Sequence, residues 1–191
     1  MQQHPEPLAI GADAPMFELP ATNGETYALG DFDGHPILVY VQASNRCPYM
    51  KAYLERIKAF AESYSDQGVQ FVMVNSNDAS EEQQDVFAAM KKFDDAYELN
   101  MPYLHDEDPS VAQAYRTYRT PEVLVFDADR KLRYRGRIDD NTQDPTMIER
   151  HDLRDALDAL LAGEPVPHAE TYPVGCTVKW RSGNEPRAVT A

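Results

Sequence analysis

The sequence predicts an α/β fold, with a central mixed β-sheet flanked by helices, an N-terminal β-hairpin and a C-terminal extension. Three observations carry this. Two short runs of β-branched and aromatic residues, "PILVYVQ" (36–42) and "GVQFVMVN" (68–75), bracket a stretch of helical periodicity. Further on, "PEVLVFDADRKLRYRGRI" holds two strand-like runs joined by the polar "DADRK", which reads as a hairpin and therefore as an antiparallel addition to the sheet. A last segment, "PTMIERHDLRDALDALLAG", is amphipathic at helical spacing.

In chain order, "APMFELPATNGETYALGDF" reads as a small hairpin turned at Asn23-Gly24. After the first long strand, Met50, Leu54, Ile57, Ala61 and Tyr64 recur at intervals of four and three. This makes a β-α-β unit, and so a parallel pair with a right-handed crossover. "SEEQQDVFAAMKKFDDAY" is predicted to be a helix capped by Ser80, with acidic residues in its first turn. "MPYLHD" follows as a short strand, and "DPSVAQAYRTY" as a short helix with Pro109 at its start. In the final helix Ile148, Leu153, Ala156, Leu157, Leu160 and Leu161 form the expected buried stripe, stopped by Gly163. The Pro-rich remainder lacks periodicity, and its Val174, Val178 and Trp180 are the expected anchors of a tail folded back on the domain. The division is then a flexible 1–7, a domain at 8–163, a docked extension at 164–180 and a flexible tail at 181–191.

A chain of 191 residues can bury one core without disulfide staples, and 42% apolar with 26% charged residues is the balance of a soluble globular protein. The net charge of −14 excludes nucleic-acid and anionic-membrane partners, which it would repel. "MQQHPEPLAIG" has neither the basic start nor the apolar core of a secretory signal, and nowhere do about 18 apolar residues run together. A cytoplasmic location is expected. Two cysteines are too few for a secreted disulfide framework and lack zinc-site spacing, so they are expected to matter as thiols. Asp139, Asp140 and Asn141 have no histidine at ligand spacing and read as turn or cap residues. With no Gly-rich phosphate loop either, neither metal nor cofactor is expected.

Four blocks carry the functional signal: Ser44-Asn45-Arg46-Cys47-Pro48-Tyr49-Met50-Lys51, Arg119-Thr120-Pro121, "YRGRIDDN" at 134–141 and "PVGCTVKW" at 173–180. In this order, over roughly residues 8 to 180, they resemble the thioredoxin-like fold. The likeness is to the redoxin group that includes the alkyl hydroperoxide reductase/thiol-specific antioxidant proteins, and within it to small proteins with a "CNHCPYVK"-type motif. Two departures stand out. The first cysteine of the pair is Ser44, and the cysteine of the family's "CTP" segment is Arg119. Exchange within a single CxxC is thereby ruled out.

Cys47 opens a helix, where unpaired backbone N–H groups and the helix dipole favour the thiolate, the nucleophilic form. Arg46 adds positive charge beside it, and Pro48 starts the helix. The resemblance further implies that the Ser44 hydroxyl serves the sulfur or a bound peroxide, that Arg119 faces the sulfur, and that Thr120-Pro121 is a cis-proline turn opposite it. The family's proline seven residues before the cysteine is Tyr40 here, so the peroxidase motif is incomplete. Cys176 is the one other thiol and a candidate resolving residue. Plainer readings stand beside these: Cys47 as a buried inert thiol, Cys176 as a small apolar tail residue, Ser44 as a helix cap, Arg119 as a surface ion pair and Pro121 as a trans proline.

The resulting expectation is a thiol-dependent oxidoreductase with antioxidant activity. Cys47 attacks a peroxide or a disulfide, and Cys176, thioredoxin or a small thiol supplies the electrons. Its rival is a redox-degenerate module of the same fold that binds a protein or peptide without catalysis.

Overall fold

The computed structural model describes residues 6–80, 83–183 and 185. Its strands are β1 (Glu18–Pro20), β2 (Thr26–Ala28), β3 (Ile37–Ala43), β4 (Val69–Asn75), β5 (Tyr103–His105), β6 (Arg119–Thr120), β7 (Glu122–Phe126), β8 (Leu132–Gly136) and β9 (Cys176–Thr177). The helices are α1 (Pro48–Ser65), α2 (Phe87–Tyr97), α3 (Ser110–Tyr115) and α4 (Asp152–Leu161). The central sheet runs β5-β4-β3-β7-β8. β3 pairs parallel with β4 and antiparallel with β7, so the sheet is mixed as expected. The first hairpin also forms, with Leu19 opposite Tyr27 and Gly24 at φ +90 in the turn.

Every residue of β3 is buried because both sheet faces are covered, which explains its unbroken apolar run. One face packs Val39, Val41 and Ala43 with Met50, Leu54 and Ile57 of α1 and Leu153 and Leu157 of α4. The other packs Leu38 and Tyr40 with Phe17, Phe32 and Tyr115, contributed by the N-terminal segment and α3. The sheet thus presents the C-terminal ends of β3 and β4, with the start of α1, at one edge of the domain, where the cysteine block lies.

Two helices start later than their sequences suggest. The helix expected from Ser80 begins at Phe87, after a 3-10 turn at Gln83–Asp85. Asp85 is the reason: instead of lying on a solvated first turn it is fully buried and bonds the cysteine loop, which draws the chain out of helical register. α4 begins at Asp152, not in the segment from Pro145, where Pro145–Met147 forms a separate 3-10 turn. Asp152 is buried and ion-paired to Arg137 at 2.7 Å and Arg150 at 2.6 Å, which fixes the start. The buried stripe is consequently Leu153, Ala156 and Leu157, with Leu160 and Leu161 only partly covered. Asp139 does more than shape a turn. It is buried, pairs with Arg56 and accepts the Tyr53 hydroxyl at 3.0 Å.

The tail crosses back over the domain as a strap, held differently from the expected apolar anchoring. Val178 is buried, but Trp180 is only half-buried and Val174 is exposed. Main-chain bonds carry the attachment. Thr171 N–H donates to Arg135 O at 3.0 Å, Val178 N–H to Tyr118 O at 2.9 Å and Asp78 N–H to Lys179 O at 2.6 Å, while β9 pairs with β6. Of the two ends expected to be flexible, residues 1–5, 184 and 186–191 lie outside the described residues. No described helix is long and apolar enough to cross a membrane.

Gly136 stands where the strap crosses β8, at φ +140, and a Cβ there would overlap the Thr171 hydroxyl and carbonyl. Gly136→Ala is therefore expected to lower the stability of the fold by about 1–3 kcal/mol through overpacking, read as a shift in the urea midpoint, and to make the strap more sensitive to protease. An unchanged midpoint would mean that the crossing is not close-packed.

Candidate active site

Cys47 ends the loop after β3 and caps α1 with its sulfur, Met50 N–H donating to Sγ at 3.4 Å. Pro48 follows in the first helical position, where no N–H is needed. On its other side the thiol donates to the Thr120 carbonyl at 2.8 Å, and the residue is only 1% exposed. The turn that supplies this carbonyl contains a cis Thr120-Pro121 bond, as the family resemblance implies. Glu122, directly after it and buried, accepts the Tyr118 N–H at 2.9 Å and the Arg119 N–H at 3.3 Å, which fixes the approach of the turn. Burial holds the Glu122 carboxyl above the usual carboxylate range.

The strap brings in the second thiol. β9 is registered so that Cys176 lies opposite Thr120, whose hydroxyl donates to the Cys176 carbonyl at 3.4 Å. Both cysteines are free, and the Cys176 thiol lies near enough to Cys47 for the two to influence each other. Burial, then the neighbouring Cys47 sulfur, pushes the Cys176 thiol up to about 11, against the opposing charges of Lys179 and Arg46. Gly175 permits the approach: a side chain there would overlap the Thr120 carbonyl. Two cysteines 129 positions apart in sequence thus meet at Thr120 in the fold.

The remaining expected site residues do not converge on the sulfur. Arg119 directs its guanidinium to the strap, donating to Gly175 O at 3.3 Å and the Tyr172 hydroxyl at 3.1 Å. Ser44 is buried, and its hydroxyl donates to Asp85 at 3.3 Å while accepting the Asn77 side-chain amide at 2.8 Å. Arg46 is half-buried beside the pair and Pro48 is exposed. The peroxidase-like trio of hydroxyl, arginine and sulfur is therefore dispersed.

A polar network that the sequence did not mark takes up the space behind Ser44. Asp85 accepts the Asn45 N–H at 2.9 Å, the Asn75 amide at 2.8 Å and the Asn77 amide at 3.0 Å in addition to the Ser44 hydroxyl. Tyr103 joins it by donating to Asn45 Oδ1 at 2.8 Å. The only cue in the sequence is "NSN" flush against the end of the buried run at 75–77, where a parallel strand's C-terminal end commonly carries function. Asp85 had no cue, since an acidic residue in a first turn ordinarily faces water. Among the described residues, no group of three or more His, Cys, Asp or Glu is placed to hold a metal.

Residues 10–135 match the AhpC/TSA family. A hypothetical protein of Sinorhizobium meliloti 1021 has a similar crystal structure, with a TM-score of 0.87 and 34% identity over 93% of this chain and 98% of that one. Thiol-disulfide oxidoreductase ResA of Bacillus subtilis (strain 168) is 26% identical over 127 residues, 66% of each chain, so the likeness leaves a third of that relative unmatched. A secreted disulfide oxidoreductase of Mycobacterium tuberculosis shares the fold at 20% identity, with a TM-score of 0.56 over 77% of this chain and 95% of that one.

The arrangement keeps the proton on Cys176. Its alkylation by iodoacetamide is expected to rise with a midpoint near pH 11 in the reduced protein, and in Cys47→Ser to rise at lower pH, though still above the 8.5 or so of a free thiol because burial remains. Peptide-resolved labelling against pH checks this. A wild-type midpoint near 8.5 would contradict the contact between the two sulfurs.

Proposed function

The chain belongs to the AhpC/TSA redoxin family and has a thioredoxin-like fold, and from that premise we propose that it is a thiol–disulfide oxidoreductase whose working pair is Cys47 and Cys176. The observation that carries this is that Thr120 meets both cysteines: its carbonyl accepts the Cys47 thiol at 2.8 Å, and β9 registers Cys176 directly opposite it. A binding module would have no use for a second thiol held against the first by a registered strand.

In the forward direction the Cys47 sulfur attacks one sulfur of a substrate disulfide. The substrate S–S bond breaks, one substrate thiol leaves, and a mixed disulfide with Cys47 remains. Cys176 then gives up its proton and attacks the Cys47 sulfur, releasing the second substrate thiol and closing a Cys47–Cys176 disulfide. Two electrons from a thioredoxin-class protein or a small thiol reopen it. Because Cys176 keeps its proton, Cys47 is the attacking residue and Cys176 the resolving one. Thr120 positions Cys47 through its carbonyl, and Arg119 serves by holding the strap at Gly175 and Tyr172.

Disulfide is favoured over peroxide as the oxidant because neither Ser44 nor Arg119 points its donors at the sulfur. Peroxide cleavage needs such donors to stabilise the departing oxygen. A chain lacking them should react with peroxide at close to the rate of an ordinary thiol. The relative named a thiol-disulfide oxidoreductase agrees with this choice.

Removing the resolving thiol tests the order of events. With a chromogenic disulfide as substrate, Cys176→Ser is expected to keep the first exchange, stop at a stable mixed disulfide on Cys47, and lose turnover by at least about tenfold. Such a loss reflects the high effective concentration of a tethered thiol. Cys47→Ser should show no exchange at all. Turnover surviving in Cys176→Ser at the wild-type rate would remove Cys176 from the mechanism, and wild type with no exchange would leave a binding role.

A further inference from the structure

A redox pair of this kind meets a geometric conflict: Cys47 must be uncovered to receive a substrate and covered again to be resolved. At 1% exposure it is closed in the present state. The covering segment is the strap, whose strand contact with the domain is two residues long. Something beyond that contact must decide how firmly it stays down.

We propose that Asn77 and Asp85 are positioning residues that latch the strap, and so set both the access of substrate to Cys47 and the effective concentration of Cys176. The inference rests on the Cys47–Cys176 exchange reading above. Asn77 is buried, and its amide works in two directions. Its Nδ2 donates to the Ser44 hydroxyl at 2.8 Å, on the loop that carries Cys47, and to Asp85 at 3.0 Å, which itself bonds that loop. Its Oδ1 accepts the Lys179 N–H at 2.8 Å, on the strap that carries Cys176. The next residue completes the clamp, Asp78 N–H donating to Lys179 O at 2.6 Å. Lys179 is thus gripped through both its backbone groups three positions after Cys176. Asp85 orients the latch: with four donors converging on its carboxyl group it leaves Asn77 one orientation, amide nitrogen inward and oxygen toward the strap. Ser44 thereby acquires a role of its own. The position that holds a cysteine in the "CNHCPYVK"-type motif supplies a latch contact here.

Asn77→Ala removes the strap bond and the inward donors together. Lys179→Pro removes the N–H that Asn77 accepts, from the strap side, and leaves the buried network intact; Lys179→Ala, which loses the same ammonium and its bond to Thr177 but keeps the N–H, is the reference against which it is read. Two quantities are read in wild type and in each variant: the iodoacetamide labelling rate of Cys47 in a Cys176→Ser background, and the equilibrium constant of the Cys47–Cys176 disulfide against glutathione. A latch predicts labelling about fivefold to tenfold faster and a disulfide constant lower by a similar factor, the range that loss of one net hydrogen bond spans. Changes below twofold in either quantity, in protein with a cooperative thermal transition, would overturn the proposal. If Asn77→Ala lacks such a transition, Lys179→Pro decides by the same numbers. If wild type forms no Cys47–Cys176 disulfide, the exchange reading falls, and the labelling rate alone then judges the latch: faster labelling supports it and an unchanged rate overturns it.

Discussion

The site depends on one short antiparallel contact, that of Arg119–Thr120 with Cys176–Thr177. Because Cys176 is registered opposite Thr120, and the Thr120 carbonyl already receives the Cys47 thiol, the same residue locates both sulfurs. A two-residue contact is weak by itself, since isolated strand pairs are marginal in water. Around it the structure places close-packing that only glycine permits at Gly136 and Gly175, main-chain bonds at Thr171, Val178 and Lys179, and the Arg119 grip on Gly175 and Tyr172. Most of these are backbone bonds, which explains how a tail with a half-buried Trp180 and an exposed Val174 can still be ordered over the site.

The chemistry follows from how charge is arranged around the two thiols. Cys176 lies partly buried near a second sulfur, an environment that disfavours a negative charge on it, while Arg46 and Lys179 moderate the effect without reversing it. The pair is therefore asymmetric, with Cys176 protonated when reduced and delivered by the strap when needed. Ser44, three residues before Cys47, ties the loop to Asp85.

Much of this fold was legible in the sequence, because long periodic or alternating runs have only one sensible burial. β3, β4, the β7–β8 hairpin and the α1 stripe through Met50, Leu54 and Ile57 all follow from that. The helix starts at Phe87 and Asp152 were not legible, because in each case a buried aspartate, Asp85 or Asp152, is held by a partner distant in sequence and sets where the helix begins. The site divided the same way. Cys47 at a helix start and the Thr120-Pro121 turn could be read locally, whereas the directions taken by Ser44 and Arg119, and the meeting of Cys176 with Cys47, depend on where the strap crosses. Spacing in the chain holds no record of that crossing; it is set by backbone bonds, to which any residue but proline contributes both a donor and an acceptor.

The account stands or falls on the sulfur–sulfur contact. Wild-type protein, reduced and then exposed to about one equivalent of a small disulfide, is digested without reduction and its peptides are mapped by mass spectrometry. The prediction is a single intrachain Cys47–Cys176 disulfide, with both thiols lost together and the chain remaining monomeric with respect to disulfides. Accumulation of a persistent mixed disulfide on Cys47 with Cys176 still free, or of Cys47-linked dimers, would contradict it.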